Sequence, residues 1–122
     1  MRSERPIAVV DDDPAACTAL IDLVRALGFS AIGFGSAISF LHSADVFRVC
    51  CVIADMRMAV MGGLELSRQL AMAGNPVPTI LITAYPDETT RLEAATLGLR
   101  AYLTKPCSPD ELLQALHLAL GV

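Results

Sequence analysis

Val49-Cys50-Cys51-Val52-Ile53-Ala54-Asp55-Met56-Arg57-Met58-Ala59-Val60-Met61-Gly62-Gly63 is an apolar run that ends on one carboxylate and then breaks into a glycine turn. β-Branched and small apolar residues bounded by turn signals read as a strand buried on both faces, as in a parallel sheet covered by helices. Ligands of such sheets bind outside the carboxyl ends of the strands, so Asp55 stands where chemistry is expected rather than packing. Taken alone, Asp55 could equally turn the chain after a strand. The rest of the chain decides between the two readings.

Upstream, Ile7-Ala8-Val9-Val10 is a second short apolar run, and it ends in Asp11-Asp12-Asp13-Pro14. Asp13-Pro14 opens a helix, with Asp at the N-cap and Pro in the first turn. Cys17, Leu20, Ile21, Val24 and Leu27 continue it at helical spacing, and Gly28 stops it. Asp13 thus has a structural task, whereas Asp11 and Asp12 end a strand with no cap to make. Ala31-Ile32-Gly33-Phe34 reads as a thinner edge strand, and Ser36 caps a short helix through Ile38, Phe40 and Leu41.

Downstream, Leu66, Leu70 and Ala73 mark a helix that ends at Gly74-Asn75-Pro76, and Thr79-Ile80-Leu81-Ile82 is a fourth strand stopping at Thr83. A weakly amphipathic helix from about Asp87 to Leu97 closes at Gly98, and Arg100-Ala101-Tyr102-Leu103-Thr104 is a fifth strand leading into Lys105-Pro106. Ser108-Pro109-Asp110-Glu111 is a capping box for the last helix. That helix buries Leu112, Leu113, Ala115, Leu116, Ala119 and Leu120 on one arc and turns Gln114 and His117 outward. Strands alternate with helices five times, which implies parallel strands joined by right-handed crossovers.

Composition bounds the function. The 122 residues suit one domain, and 54% hydrophobic residues with no Trp and 5% aromatics require an aliphatic core. A net charge of -4 with nine scattered basic residues argues against a nucleic-acid surface. No apolar segment approaches a membrane span, and Met1-Arg2-Ser3-Glu4-Arg5-Pro6 lacks the apolar core of a signal peptide, so the expected location is cytoplasmic. Cys17, Cys50, Cys51 and Cys107 have no C-x-x-C spacing and read as buried reduced thiols. His42 and His117 read as surface residues.

Each strand that looks buried ends in a residue able to handle phosphate or metal: Asp11 and Asp12, Asp55, Thr83, Lys105. Parallel strands place all of them on one edge of the sheet. Three carboxylates converging there repel one another unless a cation neutralises them, and a hard divalent cation such as Mg²⁺ suits an all-oxygen site. Lys105 and Thr83 then complete a pocket for an anion beside the metal. In this arrangement Asp55 is a carboxylate nucleophile facing a phosphoryl group.

At these residues the chain resembles the receiver domain of two-component response regulators, a CheY-like superfamily. The resemblance spans Ile7 to Leu120 and is carried by Val9-Val10-Asp11-Asp12, Ile53-Ala54-Asp55-Met56-Arg57-Met58 with Met61-Gly62-Gly63, Ile82-Thr83-Ala84 and Lys105-Pro106, all in order. It implies a flavodoxin-like three-layer α/β sandwich: a five-stranded parallel sheet in the order 2-1-3-4-5 with five helices, here over residues 1–122. It implies that Asp55 accepts a phosphoryl group from a histidine kinase or phosphotransfer protein. Asp12, Asp55 and the backbone carbonyl of Arg57 would then ligate Mg²⁺, with Asp11 acting through water. Lys105 would bind the phosphoryl group, and Thr83 with Tyr102 would form the switch pair. Such a chain is a signalling phosphoacceptor that assists its own phosphorylation and dephosphorylation rather than an enzyme.

Two departures stand out. The family usually has Pro where this chain has Ala59, and often a larger aromatic where it has Cys107. If the loop keeps the family backbone, the Ala59 N–H is dispensable and Ala59→Pro stabilises the fold by roughly 0.4–1 kcal/mol. Arg57 and Tyr85 occupy variable positions that, in the family, tune the lifetime of the phosphoryl group.

Rival readings are weaker. Asp11-Asp12-Asp13 also resembles the start of haloacid-dehalogenase-type phosphatases, with Asp11 as nucleophile, but no further acidic strand follows Lys105 and no insertion supplies a cap. Gly33-Phe34-Gly35 fails as a dinucleotide fingerprint because Ile38 stands where the third glycine belongs. The thin apolar face of the fourth helix, Leu92 and Ala95, marks the element expected to shift on phosphorylation. With the fifth strand and the last helix, including Leu118, it forms the surface expected to meet a partner or a second copy. Either the chain stands alone or an output domain follows it.

Overall fold

The computed structural model describes residues 5–121. Met1 to Glu4, part of the segment read as lacking a signal-peptide core, and Val122 lie outside the described residues. Five strands form one sheet: β1 (Ile7–Val10), β2 (Ala31–Phe34), β3 (Cys51–Asp55), β4 (Thr79–Thr83) and β5 (Ala101–Thr104), in the order β2-β1-β3-β4-β5. Every pairing is parallel. The helices are α1 (Pro14–Ala26), α2 (Ala37–Leu41), α3 (Gly63–Met72), α4 (Glu88–Thr96) and α5 (Pro109–Leu120). A 3₁₀ turn at Ala44–Phe47, not foreseen from the sequence, joins α2 to β3.

The two-residue alternation of each strand sorts the core into two layers. Ile7, Val9, Cys51, Ile53, Ile80 and Ile82 pack on one face with α1 and α5. Ala8, Val10, Val52, Ala54 and Leu81 pack on the other with α2, α3 and α4. The three central strands are covered on both sides, which is why they read as unbroken apolar runs. β2 and β5 lie at the edges and are only partly buried.

The helix ends are those their residues specify. Asp13 caps α1 by accepting from the Ala15 N–H, with Pro14 in the first turn. Ser36 accepts from Ser39 at the start of α2, and Asp87 accepts from Thr90 at the start of α4. Ser108 and Glu111 close a complete capping box on α5, which Gly121 ends in the left-handed conformation. Leu113 and Leu120 are half-buried rather than buried, at the margin of the α5 arc. All four cysteines are free, and burial pushes each thiol's pKa up, that of Cys51 to about 12. Among the described residues no helix is long and apolar enough to cross a membrane.

Candidate functional site

Strand order and register create the site before any side chain is placed. The order reverses between β2-β1 and β3, so the carboxyl ends of β1 and β3 flank the topological switch point. Val10 is in register with Ala54, which makes Asp11 and Asp55 neighbours one step beyond the ladder. Both carry the parity of Val9 and Ile53 and therefore fall on the α1–α5 side, as does Lys105 by its parity with Leu103. Thr83 shares the parity of Leu81 and belongs to the opposite face.

Lys105 Nζ lies 2.8 Å from Asp11 Oδ2 and 2.6 Å from Asp55 Oδ2. It is the only lysine in the sequence. The side chains are 22%, 0% and 12% exposed for Lys105, Asp11 and Asp55, so these ion pairs are shielded from bulk water. Burial works against the ammonium, yet the hydrogen bonds and charges of the two carboxylates outweigh it and hold the Lys105 pKa above the ordinary lysine value. The sequence reading placed Lys105 beside a metal, facing an anion. In the structure its ammonium sits between the Asp11 and Asp55 carboxylates.

Asp11 and Asp55 are held alike. Asp11 Oδ1 accepts from the Asp13 N–H at 3.0 Å, and Asp55 Oδ1 accepts from the Arg57 N–H at 3.0 Å. Asp11 therefore holds a local turn at the end of β1, while the cap of α1 is Asp13. Asp12 differs: it is exposed, and its Oδ2 accepts from the Ala59 N–H at 3.2 Å, from a residue 47 positions away. The expectation that the Ala59 N–H is dispensable is thereby corrected, since a proline would delete this bond.

The loop after Asp55 is shaped by its glycines. A Cβ on Gly62 would lie 2.4 Å from the Met56 carbonyl oxygen, and one on Gly63 would lie 2.6 Å from Leu81 Cδ2 and 2.8 Å from the Asp55 carbonyl oxygen. Only glycine lets α3 start this close to the end of β3. Val60, 93% exposed, has φ of 70° and is spanned by a 2.8 Å bond from the Met61 N–H to the Ala59 carbonyl. That is a γ-turn of the rarer, strained hand, occupied by a β-branched residue. Nothing in the residue type at position 60 announces it.

Thr83 is fully buried, and its Oγ1 accepts from the Tyr85 N–H at 3.1 Å. Tyr102 is half-buried against the α2–α4 layer, in register with Leu81, and its hydroxyl accepts from the Asp87 N–H at 3.4 Å. The ring thus touches the N-cap of α4, a link the sequence did not reveal. The Arg57 guanidinium lies 5.5 Å from the centroid of the Tyr85 ring, within cation–π range, at the mouth of the site. An open apolar groove of about 450 Å³ runs from Lys105 between α1 and Pro106-Cys107. The small Cys107 lines part of its wall.

The donors suit a hard divalent cation. Three carboxylates and one ammonium leave excess negative charge, all from oxygen ligands, and Asp12 keeps one oxygen that accepts nothing among the described residues. No cage of three or more His, Cys, Asp or Glu side chains is assembled among the described residues. Mg²⁺ is commonly held by one or two carboxylates and completed by other oxygens.

Comparison with known proteins agrees with this geometry. Residues 7–117 match the family model described as response regulator receiver domain. The chain is 38% identical to response regulator protein TmoT of Ectopseudomonas mendocina, over 96% of this chain and 53% of that protein. It is 31% identical to transcriptional regulatory protein FixJ of Bradyrhizobium diazoefficiens, over 98% of this chain and 58% of that protein. The crystal structure of FixJ-N superposes with a TM-score of 0.89 at 28% identity, covering 99% of this chain and 96% of that one. The chain spans about half the length of the curated relatives it matches. The phosphatase alternative finds no support in these matches, and the Asp11 side chain, 0% exposed against 12% for Asp55, is the less accessible of the two as a nucleophile. A 2-1-3-4-5 sheet, an acidic switch point bridged by one lysine and a receiver-family match across its length lead to one conclusion: this chain belongs to the response regulator receiver domains of two-component systems.

Proposed function

We propose that Asp55 accepts a phosphoryl group from the phosphohistidine of a histidine kinase or phosphotransfer protein. The observation that carries this reading is the chain's single lysine, bridging Asp11 and Asp55 at the switch point. Mg²⁺ would be held by Asp12, Asp55 and the Arg57 carbonyl, with Asp11 acting through water, and would supply charge neutralisation for the phosphoryl oxygens. The residues of the chain do the rest. An Asp55 carboxylate oxygen forms the new O–P bond as the N–P bond to the donor histidine breaks, and its electron pair returns to the imidazole. The Lys105 ammonium leaves the carboxylate for a phosphoryl oxygen, keeping its charge buried but paired. Thr83 Oγ1 already accepts from Tyr85, so its own proton is free to be donated to another phosphoryl oxygen.

Intact-mass measurement after treatment with acetyl phosphate and Mg²⁺ tests the proposal. One added phosphoryl group, absent in Asp55→Asn, is the expected result. An unmodified mass, or an adduct that persists at full yield in Asp55→Asn, would overturn it.

The signal then passes from Thr83 to Tyr102. Drawing the Thr83 hydroxyl toward the phosphoryl group opens space on the face that Tyr102 shares, and movement of the ring breaks its contact with the α4 cap. The α4–β5–α5 face, with Leu92, Leu97 and Leu118 exposed, would be read by a partner or a second copy. One relative's designation as a transcriptional regulatory protein makes control of transcription the output to test in the full-length protein.

A further inference from the structure

Of the three acidic side chains at the switch point, two are doubly secured. Asp11 and Asp55 each take one N–H from two residues further along and one bond from Lys105. Asp12 has neither. Among the described residues its one hydrogen-bond donor is the Ala59 N–H, delivered from the β3–α3 loop. That N–H is aimed by an unusual piece of backbone, the γ-turn in which Val60 takes φ of 70° and the Ala59 carbonyl is tied to the Met61 N–H. Both backbone groups of Ala59 are therefore committed, one to closing the strained turn and the other to Asp12. Val60 gains nothing by packing, being almost wholly exposed, so no burial offsets the strain of its conformation.

We infer that the Ala59 N–H is a positioning group for the cation site: it fixes the plane of the exposed Asp12 carboxylate through Oδ2 and leaves Oδ1 for Mg²⁺. The inference rests on the reading of Asp12 as a metal ligand. A carboxylate bound to a metal through one oxygen is ordinarily held by a hydrogen bond to the other, and loss of such an outer partner weakens metal affinity by about 10–100-fold. Without the Ala59 N–H, Asp12 rotates freely in solvent and must be ordered at the cation's expense. Lys105 does not substitute, because it is occupied by the other two carboxylates.

The test is Mg²⁺ affinity, measured by titration calorimetry on the parent protein, Ala59→Gly, Ala59→Pro and Asp12→Asn. Glycine keeps the N–H and should bind like the parent. Proline deletes it and should bind about tenfold more weakly. Should Ala59→Pro fail to fold, a backbone ester at position 59, which replaces only the N–H, gives the same reading. Equal affinity of the folded proline or ester protein and the parent overturns the inference while leaving the metal reading intact. Failure of the parent to bind Mg²⁺, or undiminished binding in Asp12→Asn, overturns the metal reading and the inference with it. Amide exchange on the unaltered protein adds an independent readout: the Ala59 N–H should stay protected as Mg²⁺ is added. Loss of protection on binding would mean that N–H and cation compete for Asp12, the opposite of positioning.

Discussion

At the scale of the residue, the site is a balance between one ammonium and several carboxylates. Lys105→Met leaves Asp11 and Asp55 facing each other without a counter-charge in a largely desolvated place, and should cost about 3 kcal/mol of stability. Denaturant melts would show the loss, and added Mg²⁺ should restore part of it. The same lysine sets an alkaline limit. Its folded pKa is raised, so its contribution is complete below the ordinary value of 10.5 and fades as pH climbs through the higher folded value. Stability plotted against pH should fall more steeply above that point in the parent than in Lys105→Met. Val60 gives a prediction of opposite sign. Relief of left-handed strain, roughly 1–2 kcal/mol, exceeds the roughly 0.4–1 kcal/mol that a glycine adds to the unfolded chain's freedom, so Val60→Gly should stabilise by about 0.5–1 kcal/mol. A lowered denaturation midpoint would show that the turn has relaxed in solution.

Among the elements, the contrast is between α5 and α4. α5 has a full capping box, a left-handed glycine stop and four buried side chains. Ser108→Ala should therefore cost about 1 kcal/mol, read from thermal or denaturant midpoints. α4 buries only Ala94, and its other residues face solvent or the shallow groove against Arg68 of α3. Its ion pair to α3, Arg68–Glu93 at 3.4 Å, is exposed and of a kind that contributes little. Amide exchange should be faster through Glu88–Thr96 than through α1 or α5, because an element with few buried contacts opens at low free energy. A phosphoryl mimic such as beryllofluoride should change exchange from Leu92 to Tyr102. Changes limited to the loops at Asp11, Asp55 and Lys105 would sink the switch while sparing the phosphorylation site.

For the whole molecule, the strands and helices were legible because each announces itself locally. Ile7–Val10 and Thr79–Thr83 are runs too apolar to face water, and Asp13-Pro14 and Ser108 to Glu111 are caps written in side-chain oxygens. The convergence of Asp11, Asp55 and Lys105 was legible too, since parallel strands bring every carboxyl end to one edge. What the sequence could not disclose is how charge and backbone are shared once those ends meet. That Lys105 spans two carboxylates depends on the register that sets Val10 beside Ala54 and Thr83 beside Thr104. The hold on Asp12 is a main-chain N–H, a group every residue but proline carries, so no letter at position 59 marks it. The left-handed Val60 runs against its own side-chain preference, and the 3₁₀ turn at Ala44–Phe47 lacks a distinctive pattern. Side-chain chemistry and periodicity are properties of the sequence and determined the elements, the edge on which they meet and the identity of the acidic pocket. Which oxygen takes which donor was decided only when the chain closed, by contacts between residues tens of positions apart.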